Sequence, residues 1–129
     1  MNFIEATVAD VGAAETVVRL VDGGLVRCAV NAQGAKVGDK VTLGLRPEHI
    51  TREPSANTLN AKVTFVESLG SVTYAYCEFA GVKEELTCEL NGTVRVRAGD
   101  TLQLGVEAGR CYLFDATGKA YKRLIAPSA

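Results

Sequence analysis

His49 is the only histidine of the chain, and Cys28, Cys77, Cys88 and Cys111 are its only cysteines. A zinc site of mixed ligands needs such residues at short, regular spacing, and no Cys-x-x-Cys pair is present. Three of the cysteines lie inside apolar strand patterns, the place of small hydrophobes in a reduced core. A Ser-His-Asp or Cys-His group would have to use His49, and nothing near it reads as a nucleophile turn. No catalytic and no metal site is therefore expected.

The elements that carry these residues belong to one domain. A chain of 129 residues is long enough to fold without metal or disulfide staples. Hydrophobic residues at 47% and charged ones at 22% fit a globular protein and argue against disorder. Fourteen Lys and Arg against fifteen Asp and Glu leave a net charge of −1, which weighs against a nucleic-acid binder. No apolar run approaches the ~20 residues that span a bilayer. The opening MNFIEATVAD lacks the basic and apolar stretches of a secretory signal, so a cytoplasmic address is expected.

The dominant period is two. Ile4, Ala6 and Val8 alternate with polar neighbours, as do Val41, Leu43 and Leu45, then Leu59, Ala61, Val63 and Phe65, then Leu102, Leu104 and Val106. The run VTYAYCEF (72–79) carries large groups on both faces and reads as a central strand. Glycine turns separate these runs, and Asn91-Gly92 between TCEL and TVRV is a two-residue hairpin signal. Arg95 and Arg97 read as the solvated face of the strand that follows it. Pro47 to Arg52 has room for one helical turn, with Pro47 at its first position. About ten short strands with little helix predict an all-β protein, a barrel or sandwich. A weak internal repeat runs through it: Gly38-Asp39-Lys40-Val41-Thr42-Leu43-Gly44-Leu45 matches Gly99-Asp100-Thr101-Leu102-Gln103-Leu104-Gly105-Val106 sixty-one positions later. Similar opening strands, Glu5 to Val8 and Asn60 to Val63, lie upstream, so halves of about 1–52 and 57–129 are expected to build a single domain over 1–129.

The run VGDKVTLGLRPEHI (37–50) resembles the Leu-Gly-Ile-Arg-Pro-Glu-His segment of the C-terminal domain in sugar-importer ABC ATPases of the maltose-importer type. The resemblance continues through NTLNAKVTFVESLGSVTYAYCE (57–78), AGDTLQLGVEAGRCYLFDATGKA (98–120) and the opening MNFI. It implies an OB-type β-barrel of the transport-associated (TOBE) class, excised from a longer ATPase subunit in which Met1 is internal. It also implies pairing with a second copy, contact with its own ATPase domain and with membrane permease subunits, and in some members a regulatory protein. The parent would bind ATP and Mg, and would sit at the inner membrane through the transporter. Glycine turns at Gly23-Gly24 and Leu69-Gly70 lack the Lys-Ser/Thr of a P-loop, and no Leu-Ser-Gly-Gly-Gln signature occurs, so ATP chemistry is not expected in this chain. A stand-alone barrel for an oxyanion or a sugar is the rival reading.

The resemblance marks Phe3, Gly38, Gly44, Arg46, Glu48, Glu67, Gly70 and Phe114 as candidates for a dimer or regulatory surface. Arg46 and Glu48 offer charge-assisted hydrogen bonds. Gly70 is placed for a positive φ, and Gly44 and Gly105 for a bend, bulge or close backbone approach. Core packing is the rival role for Phe3 and Phe114. One departure from the family stands at Val106–Gly109, where a Pro-containing turn is usual.

Overall fold

The computed structural model describes residues 1–53 and 55–123. Eleven strands form among them, with two single 3-10 turns in place of longer helices. In chain order the strands are β1 (Asn2–Val11), β2 (Thr16–Leu20), β3 (Leu25–Cys28), β4 (Val30–Asn31), β5 (Lys40–Leu45), β6 (Asn57–Ser68), β7 (Val72–Glu78), β8 (Leu86–Asn91), β9 (Thr101–Val106), β10 (Tyr112–Phe114) and β11 (Lys122–Arg123). They build a five-stranded sheet in the order β10-β5-β1-β2-β3, a four-stranded sheet in the order β8-β7-β6-β9, and a short β11-β4 pair. The two large sheets curl around one apolar cluster that draws on both, including Ile4, Leu43, Leu45, Leu59, Leu86, Leu104 and Leu113. Each such side chain, fully withdrawn from water, contributes roughly 1.5–3 kcal/mol.

The alternating runs place their apolar members as the period demands, since successive side chains in a strand face opposite ways. Ile4, Ala6 and Val8 are buried, as are Val41, Leu43 and Leu45, and all four cysteines. VTYAYCEF does run through the middle of its sheet, as β7. Phe65 breaks the pattern. A bulge between Val63 and Phe65 shifts the register against β7, so Phe65 turns outward and is 58% exposed. The expected strand after Asn91-Gly92 is also absent. The Gly92 N–H donates to Ser71 O, the Asn91 side chain accepts from Thr93, and residues 94–97 leave the sheet as irregular chain. Arg95 and Arg97 are exposed there, while Val94 and Val96 rest against the core.

The two large sheets share the turn that leads into β5 and β9. Gly38 N–H donates to Val8 O (2.8 Å) and Val8 N–H to Asp39 O; in the second half Gly99 N–H donates to Val63 O (2.7 Å) and Val63 N–H to Asp100 O. Gly38 and Gly99 share a φ of 96°, which only glycine adopts without strain. Bulges fall at matching places, Val8/Asp10 in β1 and Val63/Phe65 in β6. Each plan ends in a 3-10 turn, Pro47–His49 after β5 and Ala108–Arg110 after β9. The second turn forms without the proline that pre-sets φ in the first.

Two features join the halves. The segment after each turn crosses over: Thr51 exchanges both backbone bonds with Gly105 of β9, and β10 pairs with β5 through Tyr112↔Gly44. At the far edges, a buried asparagine from the opposite half closes the sheet. Asn57 Oδ1 accepts from Arg27 N–H (2.7 Å) while Asn57 Nδ2 donates to Arg27 O (2.8 Å) on β3. Asn2 does the same for Thr87 on β8, both bonds at 2.8 Å. Each carboxamide stands in for the peptide of a missing neighbouring strand.

Asn57→Ala would leave an edge N–H and C=O without partners beneath a closed seam. It is expected to cost about 2–4 kcal/mol in urea unfolding, since two bonds go and the exposed groups stay desolvated. Asn60→Ala, on the outward face of the same strand, should stay within about 0.5 kcal/mol of the parent.

Candidate functional site

Three of the eight candidate residues, Phe3, Gly44 and Phe114, meet at one place. Gly44 sits in β5 between Phe3 of β1 on one side and Tyr112 of β10 on the other. The rings of Phe3 and Phe114 pack edge-on at 5.9 Å. A Cβ added at Gly44 would stand 2.8 Å from both Met1 Sδ and the Phe114 ring, so glycine is what lets the aromatic pair settle on the strand. The glycine in this strand serves close approach; the bulges lie elsewhere. Phe3 is 55% exposed, so core packing does not account for it, whereas Phe114 is half-buried. Together with Met1, Val82, Glu84 and Glu85 these rings line an open groove of about 860 Å³.

Arg46 stands one residue beyond β5. Its Nε lies 3.4 Å from Tyr112 Oη, and its guanidinium lies 5.6 Å from the Tyr112 ring centre. Glu48 follows on the exposed part of the first 3-10 turn, which packs against β8. His49 closes that turn. Its Nδ1 is buried and has no hydrogen-bond partner among the described residues. Burial first, then the nearby Arg110, pushes the His49 pKa down.

Glu67 and Gly70 belong to another element, the β6–β7 hairpin. Gly70 takes the positive φ of 88° expected of it, in a turn closed by Leu69 N–H to Val72 O (2.9 Å). Tyr76 Oη lies 3.4 Å from Glu67 Oε1, and Tyr76 packs against the outward Phe65 at 5.8 Å. Leu69 at the tip is 57% exposed. This hairpin thus presents Phe65, Leu69 and Tyr76 beside one carboxylate. Gly38 lies at the opposite end of β5 from Gly44, in the turn that its positive φ permits.

All four cysteines are free and buried. Hydrogen bonding to Cys111 and burial push the Cys28 thiol up, and Cys77 with burial does the same to Cys88. Such thiols stay protonated and unreactive. Among the described residues no three His, Cys, Asp or Glu side chains converge as metal ligands. No helix among them is long and apolar enough to cross a membrane. Sequence reasoning missed Tyr112, Arg110 and Arg123 as members of the Arg46 neighbourhood. Position alone links Arg110 to His49, since each ends its 3-10 turn.

With this geometry in place, comparison with known proteins places the chain. The TOBE domain family matches residues 43–114, and the MalK OB fold domain matches residues 1–50. The maltose/maltodextrin import ATP-binding protein MalK of Vibrio parahaemolyticus serotype O3:K6 is 34% identical over 126 residues. That match covers 97% of this chain and 34% of the relative. MalK of Salmonella typhi is 33% identical over 125 residues, again covering 34% of its own length. The chain thus spans about a third of the relatives it matches. Among solved structures, the cytoplasmic molybdate-binding protein ModG with molybdate bound superposes at a TM-score of 0.71 over 87% of this chain and 94% of that one. At 17% identity that likeness establishes the fold and carries no ligand with it.

The two strand glycines should differ in what they tolerate. A Cβ at Gly44 meets only side chains, those of Met1, Phe114 and Tyr112, whereas one at Gly105 overlaps the backbone oxygen of Glu53. Gly105→Ala is expected to cost at least about 2 kcal/mol in urea unfolding, and Gly44→Ala less. The reverse order would show that the segment after Thr51 yields more readily than the aromatic pair.

Proposed function

This chain belongs to the TOBE domain family, and from that premise we propose that it is the C-terminal regulatory and dimerising domain of the ATP-binding subunit of an ABC importer. The carrying observation is the collinear match to MalK proteins over 97% of this chain and only 34% of theirs. The solute belongs to the class of sugars, polyols or glycerol phosphate. ATP and Mg would be bound elsewhere in the parent subunit, since the P-loop and signature motifs are missing here.

Its action on this reading is geometric. A domain that pairs with a second copy keeps two attached ATPase domains at roughly millimolar effective concentration while they open and close. The rigid seam between the halves suits an anchor that stays fixed as its attachments move. Exposed aromatic and aliphatic groups support two contact surfaces, one at Phe3 and Phe114, the other at Phe65 and Leu69 beside Glu67. Aromatic anchors of this kind dominate the energetics of many interfaces. A second copy, the chain's own ATPase domain and a regulatory protein are the partners these surfaces would serve. Through the permease subunits of the parent transporter the domain would lie on the cytoplasmic side of the inner membrane.

The DNA upstream of the Met1 codon tests the premise about the parent. An open frame running back through Leu-Ser-Gly-Gly-Gln and a P-loop is expected, and a start codon with its own ribosome site at Met1 would overturn it. Sedimentation of the chain tests the surfaces. Phe114→Ala or Glu67→Lys is expected to weaken self-association about tenfold or more, as loss of an interface anchor does. If both variants associate as tightly as the parent, the interface lies elsewhere.

A further inference from the structure

The outer end of β6 is an open strand edge. β6 runs for 12 residues where β1 runs for 10. Its pairing with β9 stops at Lys62↔Thr101, and the last bonds on that side join Val63 to Gly99 and Asp100. Beyond them β6 continues to Ser68 with β7 as its one neighbour among the described residues. The hairpin decides which backbone groups are left over. Leu69 N–H donates to Val72 O (2.9 Å), so Glu67 and Phe65, two and four residues back, turn their N–H and C=O toward β7. Val66 and Ser68 turn theirs the other way, to an edge where no backbone bond forms among the described residues.

A groove of about 460 Å³ lies at this edge, within the usual range for ligand clefts. It is lined by Val66 and Ser68 of β6 and by Val94, Arg95, Val96 and Arg97 of the irregular segment. That segment has free backbone of its own, since neither Arg95 nor Val96 makes a backbone hydrogen bond among the described residues. The two valines rest against the core, whereas both arginines are exposed. Asp100 Oδ2 accepts from the Arg97 backbone N–H (2.9 Å), yet no carboxylate of the described residues lies within salt-bridge distance of either guanidinium. Matched through the shared turn and bulge, the first half has Gly34, Lys36 and Asp10 where the second has Arg95, Arg97 and Phe65. The fold is thus built once without these two guanidiniums and this ring.

We propose that this edge takes an extended acidic segment of a partner protein as an added strand. Val66 and Ser68 offer it two N–H donors and two C=O acceptors, the main-chain contacts that give strand addition its affinity. Alternation then sorts its side chains: one face meets the groove, and the other lies beside Phe65 on the outside of the sheet. Two unpaired guanidiniums in the groove select carboxylates, which their planar forks bind with two bonds each. The exposed Phe65 ring selects an apolar or β-branched residue across the strand pair. The fitting sequence therefore alternates acidic and β-branched residues. A second copy fits less well, because antiparallel pairing of two β6 edges through Val66 and Ser68 sets Glu67 opposite Glu67, and like charges opposed across strands repel. This site does not depend on the chain's place in a transporter, so its loss would leave that reading standing.

The probe is a capped peptide of alternating Val and Glu, titrated to millimolar concentration into the 129-residue chain labelled with nitrogen-15. The matching Val and Lys peptide, and a Val and Glu peptide broken by a central proline, serve as controls. Amide shifts confined to residues 64–68 and 93–97, with exchange of the Ser68 amide slowed about tenfold or more, are expected from the first peptide alone. Reversing both charges, Arg95→Glu with Arg97→Glu, is expected to weaken binding roughly tenfold or more. Ser68→Pro removes an edge donor and keeps the bonds to β7, and it is expected to abolish the shifts while the urea midpoint shows the fold intact. Arg19→Glu, on β2 of the other sheet, should change nothing. Absence of localised shifts, an equal response to the Lys peptide, or an undiminished response in the double arginine variant overturns the proposal. So does self-association that Ser68→Pro abolishes in a chain that ignores the peptide, since the edge then belongs to a second copy.

Discussion

Two buried carboxamides hold this architecture to one arrangement. Each half, taken alone, is a short curled sheet with a raw edge at β3 or β8, and such an edge invites pairing with any strand that reaches it. Asn57 fills the edge of the first sheet and Asn2 the edge of the second, each with one bond given and one accepted. Because a carboxamide has one donor side and one acceptor side, it fits an edge peptide in one orientation only. Apolar burial would hold the halves together in several registers at similar cost. The paired bonds select one register, because any slip leaves buried polar groups unmade.

The exchanged tails complete the same constraint from the other side. Thr51 closes β9 and Tyr112 closes β5, so each half supplies what the other lacks. Gly44 and Gly105 stand where the crossing chain lies closest, and both lack the Cβ that would push it away. The crossing is also what assembles the functional neighbourhood. Without β10 against β5, Phe114 would not meet Phe3, and Tyr112 would not meet Arg46. Packing, closure and surface chemistry are therefore consequences of one connection.

Much of this was legible in the residues. Period-two runs marked the strands, turn glycines such as Gly38, Gly70, Gly99 and Gly118 fell at positive φ though Gly92 did not, and the Gly-Asp pairs marked two β-turns with the same bonding. What escaped depends on partners far along the chain. The bulge that turns Phe65 outward is set by register against β7, and no local pattern encodes it. Thr93 to Arg97 alternates like a strand, yet the tie from Gly92 to Ser71 leaves it no neighbour to pair with. The two asparagines were within reach. Comparing the opening strands from Glu5 and Asn60 begins three residues too late, and extending the match back reaches Asn2 and Asn57. Polar residues opening two otherwise matched apolar strands, both buried, are a signal that a single half would not give.

A duplicated plan also separates scaffold from surface chemistry. Where both halves place the same residue in the same geometry, the fold explains it. Gly38 and Gly99 share their φ and their bond to the long strand, and Asp39 and Asp100 each accept from the N–H three residues before. Gly38, for all that a family resemblance points to it, has a twin that does the same backbone work. Other positions have no chemical twin. Phe3 stands opposite Thr58 in the plan, Arg46 opposite Glu107, Tyr112 opposite Thr51 and Phe114 opposite Glu53. The second half builds its sheet without an aromatic or a guanidinium at these places, so the fold does not require them. The rings and charges gathered at the first half's end of the molecule are therefore what needs an explanation beyond folding, and the proposed surface for partners supplies one.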